Sequence, residues 1–446
     1  MEIDKSIFKS YDIRGVCPDQ LGEATAFNIG KAFVKLTGAK KVAVCNDARI
    51  SGPELLSALA RGIISEGGQL SHLGQLPTEC LYFAVGNYDF PAGIMITASH
   101  NPKEYNGLKM IKKTDGNIEM VRGESLRDIV GNENYADGEP LELNKKDILK
   151  DYANHILSFV DLSRINPLKI VVDASNGVAG KIILEIKDKL PVEIISLNFE
   201  PNGDFPNHSP NPLAPGSAKQ ISDRVKAEAE GVDFGLIFDG DADRVFLIDE
   251  RGQLVRADVV LLILARYFLR KNVGSAIAYN AICSRAVPEF IKKWGGKPIK
   301  TKVGFVNVRE GLLQNNGIMG GELSGHYCFK DNFYMDSGMI AMLILMQEIS
   351  ADGRKVSEIT AELSPYAKGA ELNFEVADKD AVLAKIKEKF SDGKQDFLDG
   401  ITVEYEDWWF NVRPSNTEPL LRLTIEADTE AILEQKQEEL IKVIKK

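Results

Sequence analysis

KIVVDASNGVAGKIILEIKDKL, residues 169–190, begins as a β-rich run, turns on small polar residues and continues as a helix-like stretch. The same order recurs twice: KVAVCND (41–47) precedes PELLSALARGIISEG, and SAIAYNA (275–281) precedes RAVPEFIKKWGG. Each segment later reaches a second β-rich run that empties into an unusual polar loop, namely GIMITASHNP (93–102), GLIFDGDADR (235–244) and GIMGGELSGH (317–326). Strands that alternate with helical stretches imply βαβ units and at least partly parallel sheets. Functional loops gather at strand ends in such sheets. The expected fold is α/β, with three similar mixed-sheet α/β domains pointing three loops at one central cleft.

The last segment reads differently. Residues 366–446 hold the helix-like DKDAVLAKIKEKF, then ITVEYEDWWFNVRPSNTEPLLRLTIEA as two strands around a polar loop, then a closing helix. That order predicts a smaller C-terminal α+β domain appended to the three. The expected domains are 1–146, 147–250, 251–365 and 366–446, a number that suits a chain of 446 residues.

A hydrophobic share of 44% and a charged share of 27% are ordinary for a globular protein. A formal net charge of −11 argues against nucleic acid as the main partner. Apolar runs such as Val259–Ala265 fall well short of the ~20 residues that span a bilayer. MEIDKSIFKS has no apolar core of the kind a signal peptide needs. Cys17, Cys45, Cys80, Cys283 and Cys328 are scattered without a CxxC pair, which fits reduced thiols. The expectation is a cytoplasmic protein, monomeric or weakly self-associating, with small-molecule partners and neither nucleic acid nor membrane.

Four loops could carry chemistry. Ser99, in Thr97-Ala98-Ser99-His100-Asn101-Pro102, stands directly after an apolar run. It either caps an Asn-Pro turn or acts as a nucleophile or phosphate carrier, for which it needs activation. Asp239, Asp241 and Asp243 alternate with Gly240 and Ala242 between two β-rich runs. Carboxylates so spaced can converge on one hard cation, and oxygen-only ligands suit magnesium. An EF-hand is excluded, because its sixth position here is Arg244 and strands flank the loop; a solvated acidic turn is the remaining alternative. Gly320–His326 lets backbone approach a ligand and offers Glu, Ser and His to sugar hydroxyls, or is a structural bend. Arg413-Pro414-Ser415-Asn416-Thr417 is either a phosphate clamp or an ordinary hairpin loop.

Taken together and in order, these loops resemble those of the α-D-phosphohexomutase family, most closely its bacterial phosphomannomutase/phosphoglucomutase branch. TASHNPKEYNGLK (97–109), DGDADR (239–244), GGELSGH (320–326) and RPSNTEP (413–419) match its serine, metal, sugar and phosphate loops in turn. FKSYDIRG (8–15), VDASNGVAG (172–180) and NGDFPNHSPNPL (202–213) extend the resemblance over essentially the whole chain. The resemblance implies interconversion of hexose 1- and 6-phosphates, of mannose or glucose, through phosphorylated Ser99 and a hexose 1,6-bisphosphate. It makes Asp239, Asp241 and Asp243 magnesium ligands, completed by an oxygen on Ser99. Tyr11, Arg14, Lys109 and Arg244 would position phosphate and assist proton transfer, with His100 supporting the serine. Glu322, Ser324, Gly325 and His326 would contact sugar, and Arg413, Ser415, Asn416 and Thr417 the distant phosphate.

Two positions depart from the family pattern. Ile282 stands where a base would align, with Arg285 the nearby cation to compensate, and Phe305 stands where some relatives carry histidine. Both bear on which sugar fits. The alternatives are a phosphoglucosamine mutase of the same architecture, a phosphoserine phosphatase, and a non-catalytic sugar-phosphate sensor.

Overall fold

The computed structural model of the chain describes residues 2–135, 138, 141–228, 231–415 and 420–445. Two compact units emerge: Met1–Arg256 with Ser324–Ser357, and Ala257–Leu323 with Glu358–Lys446.

In the first unit, strand Lys41–Asn46 is buried at every position but its first. A continuous apolar run of this kind belongs between layers, and here it pairs in parallel with Gln69–Gln75 on one side and Ala92–Ile96 on the other. Ala92–Ile96 then pairs antiparallel with Tyr105–Thr114, which pairs antiparallel with Ile13–Val16, so the sheet is mixed. Helices Glu23–Thr37 and Gly52–Ser65 cross at two glycines. A Cβ on Gly30 would lie 2.4 Å from the Leu59 carbonyl oxygen, and one on Gly62 2.0 Å from that of Phe27. Only glycine allows that approach.

A second mixed sheet follows. Leu168–Asp173 pairs in parallel with Val192–Leu197 and Phe234–Phe238, and Phe234–Phe238 turns back antiparallel onto Val245–Ile248. The helix after 169–175 is shorter than the sequence suggests, running Ala179–Ile186 before a 3-10 turn over Lys187–Lys189. Each sheet therefore delivers one loop at the end of a fully buried strand: 97–104 after Ala92–Ile96, and 239–244 after Phe234–Phe238.

In the second unit, Ala276–Asn280 lies between Lys297–Thr301 and Met319–Gly321, all parallel. The C-terminal part is an antiparallel sheet in the order Ala367–Lys368, Leu420–Ala427, Trp408–Pro414, Ile401–Glu404, Lys394–Asp396, with Leu372–Glu375 also on Leu420–Ala427. Helices Lys379–Lys389 and Glu430–Ile444 accompany it. This is richer than two strands and two helices, because short polar strands such as Lys394–Asp396 carry no apolar run to betray them. This part also contacts the parallel-sheet part of its unit. Lys300 Nζ reaches Asp396 at 2.8 Å, the Val303 amide donates to Asp399 at 2.8 Å, and Lys368 lies 3.6 Å from Asp258. Across the described residues the fold is α/β, and no helix among them is long and apolar enough to cross a membrane.

Candidate active site

Ser99 takes a backbone φ of 51°, a left-handed conformation that costs a non-glycine residue about 1–3 kcal/mol and persists only where its surroundings enforce it. The Ser99 amide donates to Thr97 Oγ1 at 2.8 Å, and the Thr97 hydroxyl donates to Asp47 Oδ2 at 2.7 Å. Held this way, the buried Ser99 hydroxyl donates to Asp239 Oδ2 at 2.7 Å, with His100 Nδ1 3.3 Å from its oxygen. The serine loop and the acidic loop, 140 residues apart in sequence, thus meet at one hydrogen bond.

Asp239, Asp241 and Asp243 are all buried, and each offers an oxygen within 4.8 Å of the others. Three carboxylates so placed repel one another. Lys109, on strand Tyr105–Thr114, answers with Nζ hydrogen bonds to Asp241 Oδ2, at 2.7 Å, and to Asp243 Oδ2. The Thr78 hydroxyl adds a bond to Asp241 Oδ2 at 2.6 Å. Oδ1 of Asp241 and Oδ1 of Asp243 are buried without a hydrogen bond, the latter 3.5 Å from His326 Nε2 and 3.9 Å from Arg244 Nε. Burying unsatisfied carboxylate oxygens is costly, and two of them in one acidic cluster suit a hard divalent cation. The donor set fits magnesium.

Charge around the cluster is unevenly shared. Burial and the neighbouring Asp243 and Asp241 push the Asp239 carboxyl well above its ordinary range. Burial also opposes ionisation of Asp243, but Lys109, His326 and Arg244 outweigh it and hold that carboxyl well down. The Arg244 guanidinium, with burial, holds the pKa of the His100 ring well below its ordinary value. Arg244 Nε donates to His326 Nε2 at 3.1 Å and lies 3.6 Å from Asp239 Oδ2. His326 Nδ1 lies 2.9 Å from the Ser324 hydroxyl, and the Gly325 carbonyl accepts from the Val245 amide, which seats the 324–326 segment on the acidic loop. A Cβ on Gly325, at φ 86°, would come within 2.6 Å of the Phe246 ring. Arg14 donates to Asp12, to the Ala98 carbonyl at 3.1 Å and to Asn101. Tyr11 is half-buried just before strand Ile13–Val16.

The first unit therefore brings together Ser99, His100, Lys109, Asp239, Asp241, Asp243, Arg244, Ser324 and His326. Residues that the sequence reading passed over join them: Asp47, Arg49, Thr78 and Asp336, whose carboxyl lies 3.7 Å from His326 Nε2 and is raised to about 7 by burial and Asp243.

In the second unit, Glu322 accepts from the Gly304 amide at 3.1 Å. Buried Arg413 bonds Glu371 Oε2 at 2.8 Å, while Arg422 bonds Oε1 of the same carboxylate at 3.2 Å. Ser415 follows Trp408–Pro414, its amide bonded to the Leu420 carbonyl at 2.8 Å. Asn416 and Thr417 lie outside the described residues. Ile282 is buried, its carbonyl accepting from Lys368, and Arg285 is bound by Asp428 and lies over the Tyr366 ring, 4.0 Å from its centre. Phe305 begins helix Phe305–Gln314.

Comparison with known proteins agrees over the full length. The chain matches the phosphoglucomutase/phosphomannomutase α/β/α domains I, II and III over residues 5–136, 150–252 and 256–366, and the C-terminal domain of that family over 371–443. It is 35% identical to a protein described as phosphohexose mutases from Xanthomonas campestris pv. campestris, covering 98% of this chain and 99% of that one. It is 36% identical to a phosphomannomutase of Methanocaldococcus jannaschii, covering 99% and 98%. The crystal structure of a phosphoglucomutase/phosphomannomutase family protein from Burkholderia thailandensis superposes with a TM-score of 0.88 at 32% identity, covering 100% of this chain and 98% of that one. The chain belongs to the phosphoglucomutase/phosphomannomutase family and is an intramolecular phosphotransferase, a phosphohexomutase.

Proposed function

We propose that the enzyme interconverts the 1- and 6-phosphates of mannose, glucose or both, through a phosphoserine at Ser99 and a hexose 1,6-bisphosphate. The observation that carries this reading is the Ser99 hydroxyl, 2.7 Å from an aspartate of a buried acidic cluster that retains oxygens without a hydrogen bond. Asp239, Asp241 and Asp243, with an oxygen of phosphorylated Ser99, would hold magnesium, which supplies Lewis-acid stabilisation of the charge on the moving phosphoryl group.

Transfer of a phosphoryl group passes through a loose transition state, so positioning and charge dominate. Lys109 and Arg244 bring cationic donors to the phosphoryl oxygens. Arg14 and Tyr11 flank them to orient phosphate and assist proton transfer, with His100 beside the serine oxygen. In the first half-reaction the bond from phosphorus to Ser99 Oγ breaks, one to the sugar hydroxyl oxygen forms, and the hydroxyl proton is balanced by one gained at Ser99 Oγ, which restores the serine hydroxyl. The bisphosphate then turns round and returns its other phosphoryl group to Ser99 Oγ, whose proton passes to the sugar oxygen that is released. Glu322, Ser324, Gly325 and His326 hold sugar hydroxyls in both orientations. Arg413, Ser415, Asn416 and Thr417 grip whichever phosphate is not reacting, and fixing that end can lower the barrier by up to roughly 7–11 kcal/mol.

Coupled assays with mannose 1-phosphate, glucose 1-phosphate and glucosamine 1-phosphate test the reading. Turnover of the first two, stimulated by the 1,6-bisphosphate, is expected. Dominant turnover of glucosamine 1-phosphate would move the enzyme to the phosphoglucosamine mutases. Release of inorganic phosphate in place of isomerised sugar would make it a phosphatase.

A further inference from the structure

Arg49 is among the largest fully buried side chains of the chain, with no side-chain exposure. Its guanidinium has five N–H donors, and all five are engaged. Nε donates to Asp47 Oδ2 at 3.1 Å. Nη1 donates to the carbonyls of Pro102, at 2.6 Å, and Tyr105, at 2.8 Å. Nη2 donates to the carbonyls of Ser99, at 2.8 Å, and Asn101, at 2.6 Å. Three carbonyls of the serine loop and that of Tyr105, where the next strand begins, thus converge on a single planar cation, and one belongs to Ser99 itself.

The same side chain touches the acidic loop's support. Phe205, from NGDFPNHSPNPL, lies with its ring centre 5.3 Å from the Arg49 guanidinium carbon. A Cβ on Gly203 would come 2.6 Å from both the Ala48 carbonyl oxygen and the Ile50 nitrogen, so this segment presses directly on the Arg49 backbone. Beyond it sits Gly240. A Cβ there would meet the Ser99 carbonyl oxygen at 2.8 Å, Pro210 at 3.2 Å and the Phe205 ring at 3.7 Å. Arg49 and Phe205 therefore stand where the serine loop and the acidic loop press together.

We infer that Arg49 is a positioning residue for phosphoryl transfer. It fixes the strained Ser99 conformation, and through Phe205 it sets the register between the Ser99 oxygen and the aspartates. It touches neither substrate nor the reacting oxygen, and acts through the loop it fills. The inference rests on Ser99 as the phosphoryl carrier.

The test compares wild type, Arg49→Lys, Arg49→Ala and Phe205→Leu. The readouts are steady-state kinetics, and single-turnover transfer from phosphorus-labelled glucose 1,6-bisphosphate to Ser99, located by peptide mapping. Lysine offers one nitrogen where four carbonyls and a carboxylate need a fork. For Arg49→Lys we expect kcat and the single-turnover rate to fall about 100-fold, the scale of a loop misplaced by about 1 Å. KM should stay within about threefold, because uniform substrate binding is untouched. Added guanidinium should restore part of the rate to Arg49→Ala, and none to Ser99→Ala. Phe205→Leu keeps every hydrogen bond and should slow transfer about fivefold, so it decides the matter even if the Arg49 variants do not fold. Wild-type transfer to Ser99 in Phe205→Leu, or an Arg49→Lys enzyme that loses KM and not kcat, would overturn the inference while leaving the phosphoserine intact. Label absent from Ser99 in wild type would remove the phosphoserine reading, and this inference with it.

Discussion

In the first unit three buried aspartates are countered by Lys109 and Arg244, whereas in the second unit two arginines, Arg413 and Arg422, share the carboxylate of Glu371. The two regions carry opposite charge and solve the same problem. A buried charge left alone is strongly unfavourable, so each cluster keeps a partner from its own chain. They differ in what is left over. Around Asp241 and Asp243 the surplus is acceptor oxygen, which calls for a cation; around Arg413 the surplus is an unpartnered buried Nε, which calls for an anion. That contrast supports assigning chemistry to the first region and grip to the second.

The largest expected effect breaks the chemistry. Ser99→Ala should lower mutase turnover on the order of 10⁴-fold or more, measured in a coupled assay, with binding of glucose 6-phosphate by calorimetry retained. Next, Asp241→Asn should cut kcat about 10²- to 10³-fold with little change in KM. Thorough chelation should abolish wild-type activity and magnesium restore it; full activity in chelator would remove the cation from the account.

In the gripping region the balance should reverse, with affinity suffering more than rate. Arg413→Ala removes a charge-assisted bond worth about 1.5–3 kcal/mol, so KM should rise about 10- to 100-fold for the 1-phosphate and 6-phosphate alike. Loss of affinity for one monophosphate alone would mean that the two orientations use separate phosphate sites.

How much of this could be read from sequence follows from where the partners lie. Ser99, Asp239, Asp241, Asp243 and Arg244 occupy compact polar loops at the ends of long apolar runs, so local pattern exposes them. Arg49, Thr78 and Glu371 are single polar residues in unremarkable surroundings. Ser99, Asp241 and Arg413, the site residues they bond, lie 50, 163 and 42 positions away, and only the folded chain joins them. The buried parallel strands were plain for the same reason as the loops. Lys394–Asp396 was not, since pairing with Ile401–Glu404 and not apolar content makes it a strand, and in Leu372–Glu375 only Leu372 and Phe374 mark the pattern.

The smallest effect concerns scaffold alone. Burial opposes a charged His208 ring, but its hydrogen bond to Asp173, at 3.0 Å, and that residue's charge outweigh burial and raise its pKa. The protonated ring therefore favours the folded state. This stabilisation is fully present below the unfolded value of about 6.5 and is lost as pH rises through the higher folded value. His208→Gln should lower Tm more at acidic than at alkaline pH, with kcat nearly unchanged. An equal loss of Tm at both would show that the ion pair contributes nothing.

The central claim is that Ser99 carries the phosphoryl group. Purified enzyme incubated with phosphorus-labelled glucose 1,6-bisphosphate, then digested and mapped by mass spectrometry, tests it directly. The account predicts label on the peptide containing Ser99, discharged by added glucose 6-phosphate or mannose 6-phosphate at a rate no slower than turnover. Label on another residue, or none on Ser99 while the sugars still interconvert, would contradict it.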